Sequence, residues 1–311
     1  GLSRYMRASM VEVLRQDFLG PVLAKMVSPE LLQWFLPFPV PAFDRARALE
    51  DSFTNAYRQV LAKDGFQAST FDAPFSSAWP RCATPACDPA PAFALPALLL
   101  NGTHVKTGQR MLHAPVRWTA EELPEVADLA TLLGADVRLA TAAHDSARFA
   151  YVSPAGRLLS AAGRDYDHVV DGGYFENSGA ATLQDVLYVM NRSPRRDRLR
   201  FVVLYLCNSA GRCWGADAGV DPAKPQLQPP DLTELFAPVR ALLGARDARG
   251  ELALAEISRT PDLAGFLEFG VCPGDTAQRQ APEPLGWQLS ESMRQRLSLQ
   301  AAGGGEAPGN L

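Results

Sequence analysis

Strand-like apolar runs that alternate with segments of helical periodicity are the feature that most limits the fold of this sequence. The strand-like runs lie at residues 97–101, 109–114, 168–170, 201–207 and 266–271. A strand that is apolar along its whole length is buried on both faces, as in parallel sheets covered by helices. The sequence therefore predicts an α/β fold with a mostly parallel central sheet flanked by helices.

Helices and domain limits follow from the same patterns. Apolar residues at helical spacing predict helices at residues 3–16, 22–27, 44–61, 182–191, 232–257 and 289–299. Residues 28–31 predict the start of a short helix, and residues 136–141 lead into a helix that ends near residue 149. Asp44 is expected to cap the helix at 44–61, with Leu49 and Val60 on its inner face. The helix at 232–257 is expected to break at Gly244. Because the sequence contains no internal repeat and no strong linker, it predicts a single domain over residues 1–302. The glycine-rich residues 303–311 predict a disordered tail.

Composition excludes some classes of partner. The formal net charge is −4 and the sequence pI is about 5.7, so no general electrostatic attraction to nucleic acid is expected. Five cysteines in 311 residues indicate no disulfide scaffold. No apolar run approaches the ~20 residues of a transmembrane helix, and the compartment stays open.

The segment from Trp34 to Phe43 is unusual because apolar side chains alternate with Pro37, Pro39 and Pro41. The prolines exclude a helix and weaken a central strand. The favoured interpretation is an extended segment packed over the core, because most apolar side chains are buried. The alternative is an exposed apolar lip that contacts lipid or substrate. Residues 72–96 predict a long irregular loop.

The chemistry-bearing motif lies in residues 168–179, where a short apolar strand ends at Asp171 and two glycines follow. In open α/β sheets, functional side chains gather at the carboxyl ends of strands, which places Asp171 and Asn101 together as candidates. Asn208 is a third candidate at such a position. The structural alternative is that Asp171 caps a helix and that the asparagines end strands.

Two other chemistries find little support in the sequence. Asp165, Asp167, His168 and Asp171 are close along the chain, but strand alternation places Asp167 and His168 on opposite faces, so no metal is expected. A nucleophilic serine needs a sharp glycine-flanked turn, as in G-x-S-x-G. No serine in the chain has glycine both two residues before and two residues after it.

The run Asp171-Gly172-Gly173, followed by Tyr174 to Gly179, resembles the D-G-G/A motif of patatin-like phospholipases. Further stretches resemble bacterial members of this family in the same order; they lie at residues 16–21, 101–108, 146–156 and 285–290. Residues 146–156 resemble the family stretch "SARFPYVSPAG", with Ala150 where proline is usual.

This resemblance implies a patatin-like three-layer fold and a lipid acyl hydrolase that works with a serine–aspartate dyad. Asp171 would take the proton of the serine directly, without histidine. Gly172, Gly173, Asn177 and Asn101 would form the motif and its support. The resemblance implies a phospholipid or another acyl ester as substrate, contact with a membrane surface, and no cofactor.

The family's glycine-rich oxyanion loop and its serine elbow precede the part that this chain matches. We therefore expect the chain to be the C-terminal portion of such an enzyme, lacking the first strand, and to be inactive alone. The alternative is a catalytically inactive patatin-like binding or scaffold protein, although a missing first strand would leave a costly exposed sheet edge. A third alternative takes Ser3 as the nucleophile, although no strand precedes it in this sequence to form an elbow.

Overall fold

The computed structural model describes residues 12–33, 35–38, 40–62, 71–79, 96–149, 152–207, 233–260, 263–270 and 295. The chain divides into two compact units, Gly1–Val189 and Met190–Leu311. Each unit is described by itself, and a single domain over residues 1–302 stays a prediction. The expected tail at 303–311 and nearly all of the helix expected at 289–299 lie outside the described residues, as do Ser3 and Asn208.

The described part of the first unit contains six α-helices, the last of which crosses the boundary of the unit. They are α1 (Leu19–Val27), α2 (Pro29–Gln33), α3 (Arg45–Ala62), α4 (Leu129–Leu133), α5 (Leu139–Asp145) and α6 (Ala180–Asn191). The predicted cap of α3 is confirmed, because the Ala46 N–H donates to Asp44 Oδ1 at 2.8 Å. Leu49 and Val60 are buried on the predicted inner face of this helix.

A mixed five-stranded sheet forms the centre of the first unit. Its strands are β1 (Leu100–His104), β2 (Arg110–His113), β3 (Val126–Asp128), β4 (Gly156–Leu159) and β5 (Asp165–Asp171). Their order across the sheet is β3-β2-β1-β5-β4. Only β2 and β3 run parallel in this sheet; β1 is antiparallel to both β2 and β5, and β4 is antiparallel to β5.

The expectation of a mostly parallel sheet is therefore wrong for these five strands. Two pairs are hairpins that close through left-handed glycines, Gly108 with φ 68° between β1 and β2, and Gly163 with φ 75° between β4 and β5. Short turns join antiparallel strands, whereas parallel strands need a crossover of a dozen or more residues. Each predicted apolar run overlaps a strand, although β1 begins at Leu100 and not at Ala97, and β3 and β4 were not predicted. The turns between the strands decide the strand direction.

The sheet is covered on both faces at β2, where successive side chains point to opposite sides. Met111 packs with Leu129, Leu133, Leu158 and Val169 in one buried cluster. Leu112 packs on the opposite face in a second cluster with Leu123 and Val126. The α/β class of the first unit, with helices flanking a central sheet, is thus confirmed.

The second unit contains a parallel pair, β6 (Phe201–Cys207) and β7 (Leu263–Gly270), connected through α7 (Thr233–Ser258). The predicted break at Gly244 is wrong, because α7 continues through it. One glycine costs about 1 kcal/mol relative to alanine, too little to end a long helix. The bounds of β6 match the prediction, although its described side chains alternate between buried Val203 and exposed Leu204.

The segment after α2 also differs from the favoured expectation. Phe35 and Phe38 do not pack over the core, since they are 83% and 58% exposed. The structure bends here through turns closed by the Phe35 N–H and the Leu36 N–H, which places these rings at the surface. Within the described ranges, no helix has both the length and the apolar character needed to cross a membrane.

A buried ion-pair network joins β2, α5 and the loop before β4. Asp145 Oδ2 lies 2.9 Å from His113 Nε2, and Asp145 Oδ1 accepts from Arg148 Nε at 2.7 Å. All three side chains are buried. Burial raises the pKa of Asp145, but the His113 hydrogen bond and the Arg148 charge outweigh it, so this pKa lies below its usual value.

We expect Asp145→Asn to lower the free energy of unfolding by about 3–5 kcal/mol at pH 7, because it leaves the buried Arg148 without its main partner. The folded-state pKa of Asp145 lies below that of the unfolded chain, which is about 3.9. The stabilisation is therefore full above about pH 4 and is lost as the pH falls through the folded-state pKa. Urea unfolding from pH 2 to pH 7 measures both effects.

Asp51→Asn is the matched control, since Asp51 lies on the exposed surface of α3. It should change the free energy of unfolding by no more than about 0.5 kcal/mol. Equal stability and equal acid dependence for the Asp145 and Asp51 variants would contradict this account of the network.

Candidate functional site

Asp171 is the last residue of β5 and the N-cap of a short 3₁₀ helix, Gly172–Tyr174. Its carboxylate Oδ1 accepts a hydrogen bond of 2.6 Å from the Gly173 N–H. The side chain is half-buried at the end of β5. The predicted structural role, a helix cap, is therefore present, and the same hydrogen bond fixes the orientation of the carboxylate.

Packing explains why both positions of the motif are glycine. A Cβ atom at Gly172 would lie 2.6 Å from the Asn101 carbonyl oxygen, which is closer than real Cβ contacts. A Cβ atom at Gly173 would lie 3.0 Å from both Asn177 Oδ1 and Asp171 Oδ1. Close backbone approach requires glycine here. The glycine pair therefore supports the turn geometry and does not by itself distinguish a catalytic turn from a structural one.

Asn101 lies beside the Asp171 turn, although not for the predicted reason. It was expected at the carboxyl end of a strand, but β1 begins at Leu100, so Asn101 is near its start. The antiparallel register pairs Gly102 with Asp171, which brings the start of β1 to the end of β5. All five predicted site residues, Asp171, Gly172, Gly173, Asn177 and Asn101, thus surround one turn.

A chain of polar contacts holds the Asn101 side chain. Its Oδ1 accepts from Thr182 Oγ1 at 2.7 Å, and Thr182 Oγ1 accepts from Arg110 at 3.0 Å. Arg110 also pairs with Asp185 and lies over the Phe175 ring, with its guanidinium carbon 5.2 Å from the ring centroid. Asn101 is therefore fixed by α6, while Asn177 lies exposed at the end of the turn.

Thr103 is a residue of this site that sequence reasoning missed. Its buried hydroxyl donates to the Asp171 carbonyl oxygen at 2.9 Å and accepts from the Phe175 N–H at 3.1 Å. It thereby attaches the 3₁₀ helix to β1. A threonine two residues after Asn101 in a strand carries no sequence signal for this role, which follows from the β1–β5 pairing.

The acidic residues upstream of Asp171 do not alternate across the strand as predicted. A bulge in β5 gives Asp167 a positive φ of 90° and breaks the predicted alternation, so Asp167 Oδ1 lies 3.0 Å from His168 Nδ1. This hydrogen bond keeps the pKa of Asp167 below its usual value. Among the residues that the structure describes, no group of three His, Cys, Asp or Glu side chains could hold a metal ion.

A second polar constellation lies outside the predicted site. His144 Nε2 lies 3.0 Å from Ser153 Oγ, and His144 Nδ1 lies 3.3 Å from Glu50 Oε1. The order serine–histidine–carboxylate is that of a catalytic triad. No spacing rule could find it, because Glu50 is 94 residues from His144 and Ser153 lacks the flanking glycines of an elbow.

Burial gives this constellation a structural role. His144 is fully buried and Ser153 is 6% exposed, so the hydroxyl cannot reach a substrate in this structure. Glu50 also accepts hydrogen bonds from Arg138 and Thr141 at 2.6 and 2.8 Å. Burial raises the pKa of Glu50, but the hydrogen bonds from His144 and Thr141, together with the charges of His144 and Arg138, outweigh it, and the pKa lies below its usual value. The network ties α3 to α5.

Comparison with known proteins gives no match for this chain among family models, curated proteins or solved structures. Its membership of the patatin-like family therefore stays a prediction from the motifs at residues 101–108, 146–156 and 171–179. Of these motifs, the one that contains Asp171 is the one whose contacts are described above.

Thr103→Val should lower the free energy of unfolding by about 1–3 kcal/mol, because it removes the hydrogen bond from the buried hydroxyl to the Asp171 carbonyl oxygen and one of the two acceptors of the Phe175 N–H, the other being the Gly172 carbonyl oxygen. Thr103→Ser keeps the hydroxyl and should retain most of the stability. Urea unfolding of both variants makes the comparison. If the valine variant were as stable as the serine variant, the hydroxyl would not hold the turn.

Gly172→Ala should be destabilising by about 1–3 kcal/mol, because its Cβ would displace the backbone of Asn101. Gly244→Ala is the control: a Cβ there meets open space in the middle of α7, so we expect a gain of about 1 kcal/mol. Thermal or urea unfolding distinguishes them. Similar stability of the two variants would show that β1 and the turn are not in close contact.

Proposed function

We propose that this chain carries the aspartate base of a patatin-like lipid acyl hydrolase with the three-layer arrangement of that family. The observation that carries the proposal is the Asp171 carboxylate at the end of β5, oriented by the Gly173 N–H at 2.6 Å. The ordered motifs along the chain support it. The proposed substrate is a phospholipid or another acyl ester.

The proposed reaction is covalent acyl transfer. A serine oxygen attacks the ester carbonyl carbon while Asp171 accepts the serine proton. The tetrahedral intermediate breaks the bond to the alcohol, which leaves with the proton from Asp171. Water then attacks the acyl-serine carbonyl carbon and gives one proton to Asp171. The second tetrahedral intermediate breaks its bond to the serine oxygen, which takes that proton from Asp171, and the fatty acid is released. A carboxylate held at a fixed angle suits such a base, since proton transfer needs hydrogen-bond geometry.

We assign the serine and the oxyanion donors to a segment that precedes Gly1 in a longer natural protein. None of the serines in these 311 residues has the glycine-flanked setting of an elbow. Ser153, which does contact a histidine, is buried in the α3–α5 network. The 311-residue chain alone should therefore show no ester hydrolysis.

An inactive patatin-like binding or scaffold protein is the second candidate. The observation in its favour is that every residue of the motif has a structural contact. Asp171 caps the 3₁₀ helix, and Gly172 and Gly173 leave space for neighbouring atoms. A protein that had lost its nucleophile could keep the motif for these contacts alone.

Asp171→Asn should reduce ester hydrolysis by the longer natural protein by about 10²–10⁴-fold, because the amide cannot accept the serine proton. The amide oxygen can still accept from the Gly173 N–H, so stability should change by no more than about 1 kcal/mol. Turnover of p-nitrophenyl butyrate and of phosphatidylcholine, together with urea unfolding, measures both expectations.

Asp165→Asn is the matched control at the other end of β5, where Asp165 pairs with Arg157 at the surface. It should keep normal turnover. Near-normal turnover of the Asp171 variant would exclude Asp171 as the base. An unmodified natural protein that hydrolyses neither ester would favour the binding or scaffold protein.

A further inference from the structure

The strongest feature outside the site is an exposed apolar surface on α1, α2 and the turn that follows, which we call the apolar lip. Its most exposed large side chains are Leu23, Val27, Leu31, Leu32, Phe35 and Phe38. They lie within one short stretch of chain on two consecutive helices. Large apolar side chains concentrated at the surface mark an interaction site.

The lip has almost no charge to offer a partner. Between residues 19 and 43 the sequence contains only two charged residues, Lys25 and Glu30. Lys25 Nζ donates to the Ala42 carbonyl oxygen at 2.8 Å, and Glu30 lies 2.5 Å from an Arg45 nitrogen. Both charges are therefore engaged at the base of the lip, within the protein.

Several backbone groups at the tip are also paired internally. The Phe35 and Leu36 N–H groups each donate at 3.1 Å to carbonyls of α2. The Gln33 side chain donates to the Phe38 carbonyl oxygen and accepts from the Val40 N–H, both at 2.6 Å. Pro37 has no N–H to satisfy. Polar backbone groups entering an apolar medium need internal partners, and these groups have them.

We propose that the apolar lip inserts into the interfacial region of a lipid bilayer. An uncharged helical surface with Phe, Leu and Val side chains suits the boundary between headgroups and acyl chains. A protein interface would instead need a polar rim with about one hydrogen bond per 100–200 Å², whereas the polar groups identified here bond within the chain. The reason to bind lipid rests on the proposed hydrolase, but the binding itself needs no turnover.

The test is co-sedimentation of the 311-residue chain with phosphatidylcholine vesicles, at low salt and at 0.5 M salt. We expect binding that changes little with salt, because no ion pair with lipid is involved. The double variant Phe35→Ser, Phe38→Ser should bind at least about tenfold more weakly, since two exposed rings no longer transfer out of water. Circular dichroism checks that the variants fold.

Two single variants provide the matched comparison. Val27 in the lip is 66% exposed and Val116, in the loop between β2 and β3, is 51% exposed. Val27→Ser should weaken vesicle binding and Val116→Ser should not. The proposal is overturned if the chain does not bind vesicles, if both valine variants behave alike, or if the double variant binds normally. A dimer in analytical ultracentrifugation that the double variant abolishes, with vesicle binding unchanged, would assign the surface to a second copy.

Failure of this inference is distinguishable from failure of the proposed function. Asp171→Asn should bind vesicles as the unaltered chain does, because Asp171 lies in β5 and not in the lip. If Asp171→Asn loses hydrolysis but binds vesicles normally, the result supports the dyad and does not bear on the lip. If a lip variant of the longer protein hydrolyses a soluble ester normally but no longer binds vesicles, the result supports the lip and does not bear on the dyad.

Discussion

The close approach of β1 to the turn after β5 is the contact on which the geometry of this site depends. At residue 172 the Asn101 carbonyl oxygen occupies the space of a side chain, so only glycine fits. That approach lets Thr103 bond to both ends of the turn and brings Asn101 beside Asp171. The direction of the Asp171 carboxylate follows from this packing and from the hydrogen bond of the Gly173 N–H.

Two buried polar networks hold the elements around that turn. Asp145, His113 and Arg148 connect β2 with α5, and Glu50, His144 and Ser153 connect α3 with α5. The residues after α5 reach the site directly, since the Asp171 N–H donates to the Arg148 carbonyl oxygen at 3.3 Å. Although Ser153, His144 and Glu50 have the order of a catalytic triad, we assign them a structural role in holding the elements around the Asp171 turn. Buried polar groups in native structures are hydrogen-bonded, and the members of these two networks supply the partners for one another.

Local patterns in the sequence predicted elements well and relations between elements poorly. The bounds of β6, the Asp44 cap and the Asp171 turn follow from residues close in sequence. Strand direction depended on the glycine turns at Gly108 and Gly163, and a bulge at Asp167 broke the expected alternation. The contact of His144 with Glu50 joins residues far apart in sequence, so no periodicity could indicate it. The exposure of Phe35 contradicted the general rule that apolar side chains are buried.

The central claim is that Asp171 serves a serine that these 311 residues do not supply. The most direct test is to treat the natural protein, with whatever sequence precedes Gly1, with a fluorophosphonate and to locate the modified serine by mass spectrometry. The account predicts one modified serine in the segment preceding Gly1, with much slower modification in the Asp171→Asn variant. Modification at Ser153, or a rate that does not change in the Asp171 variant, would contradict it.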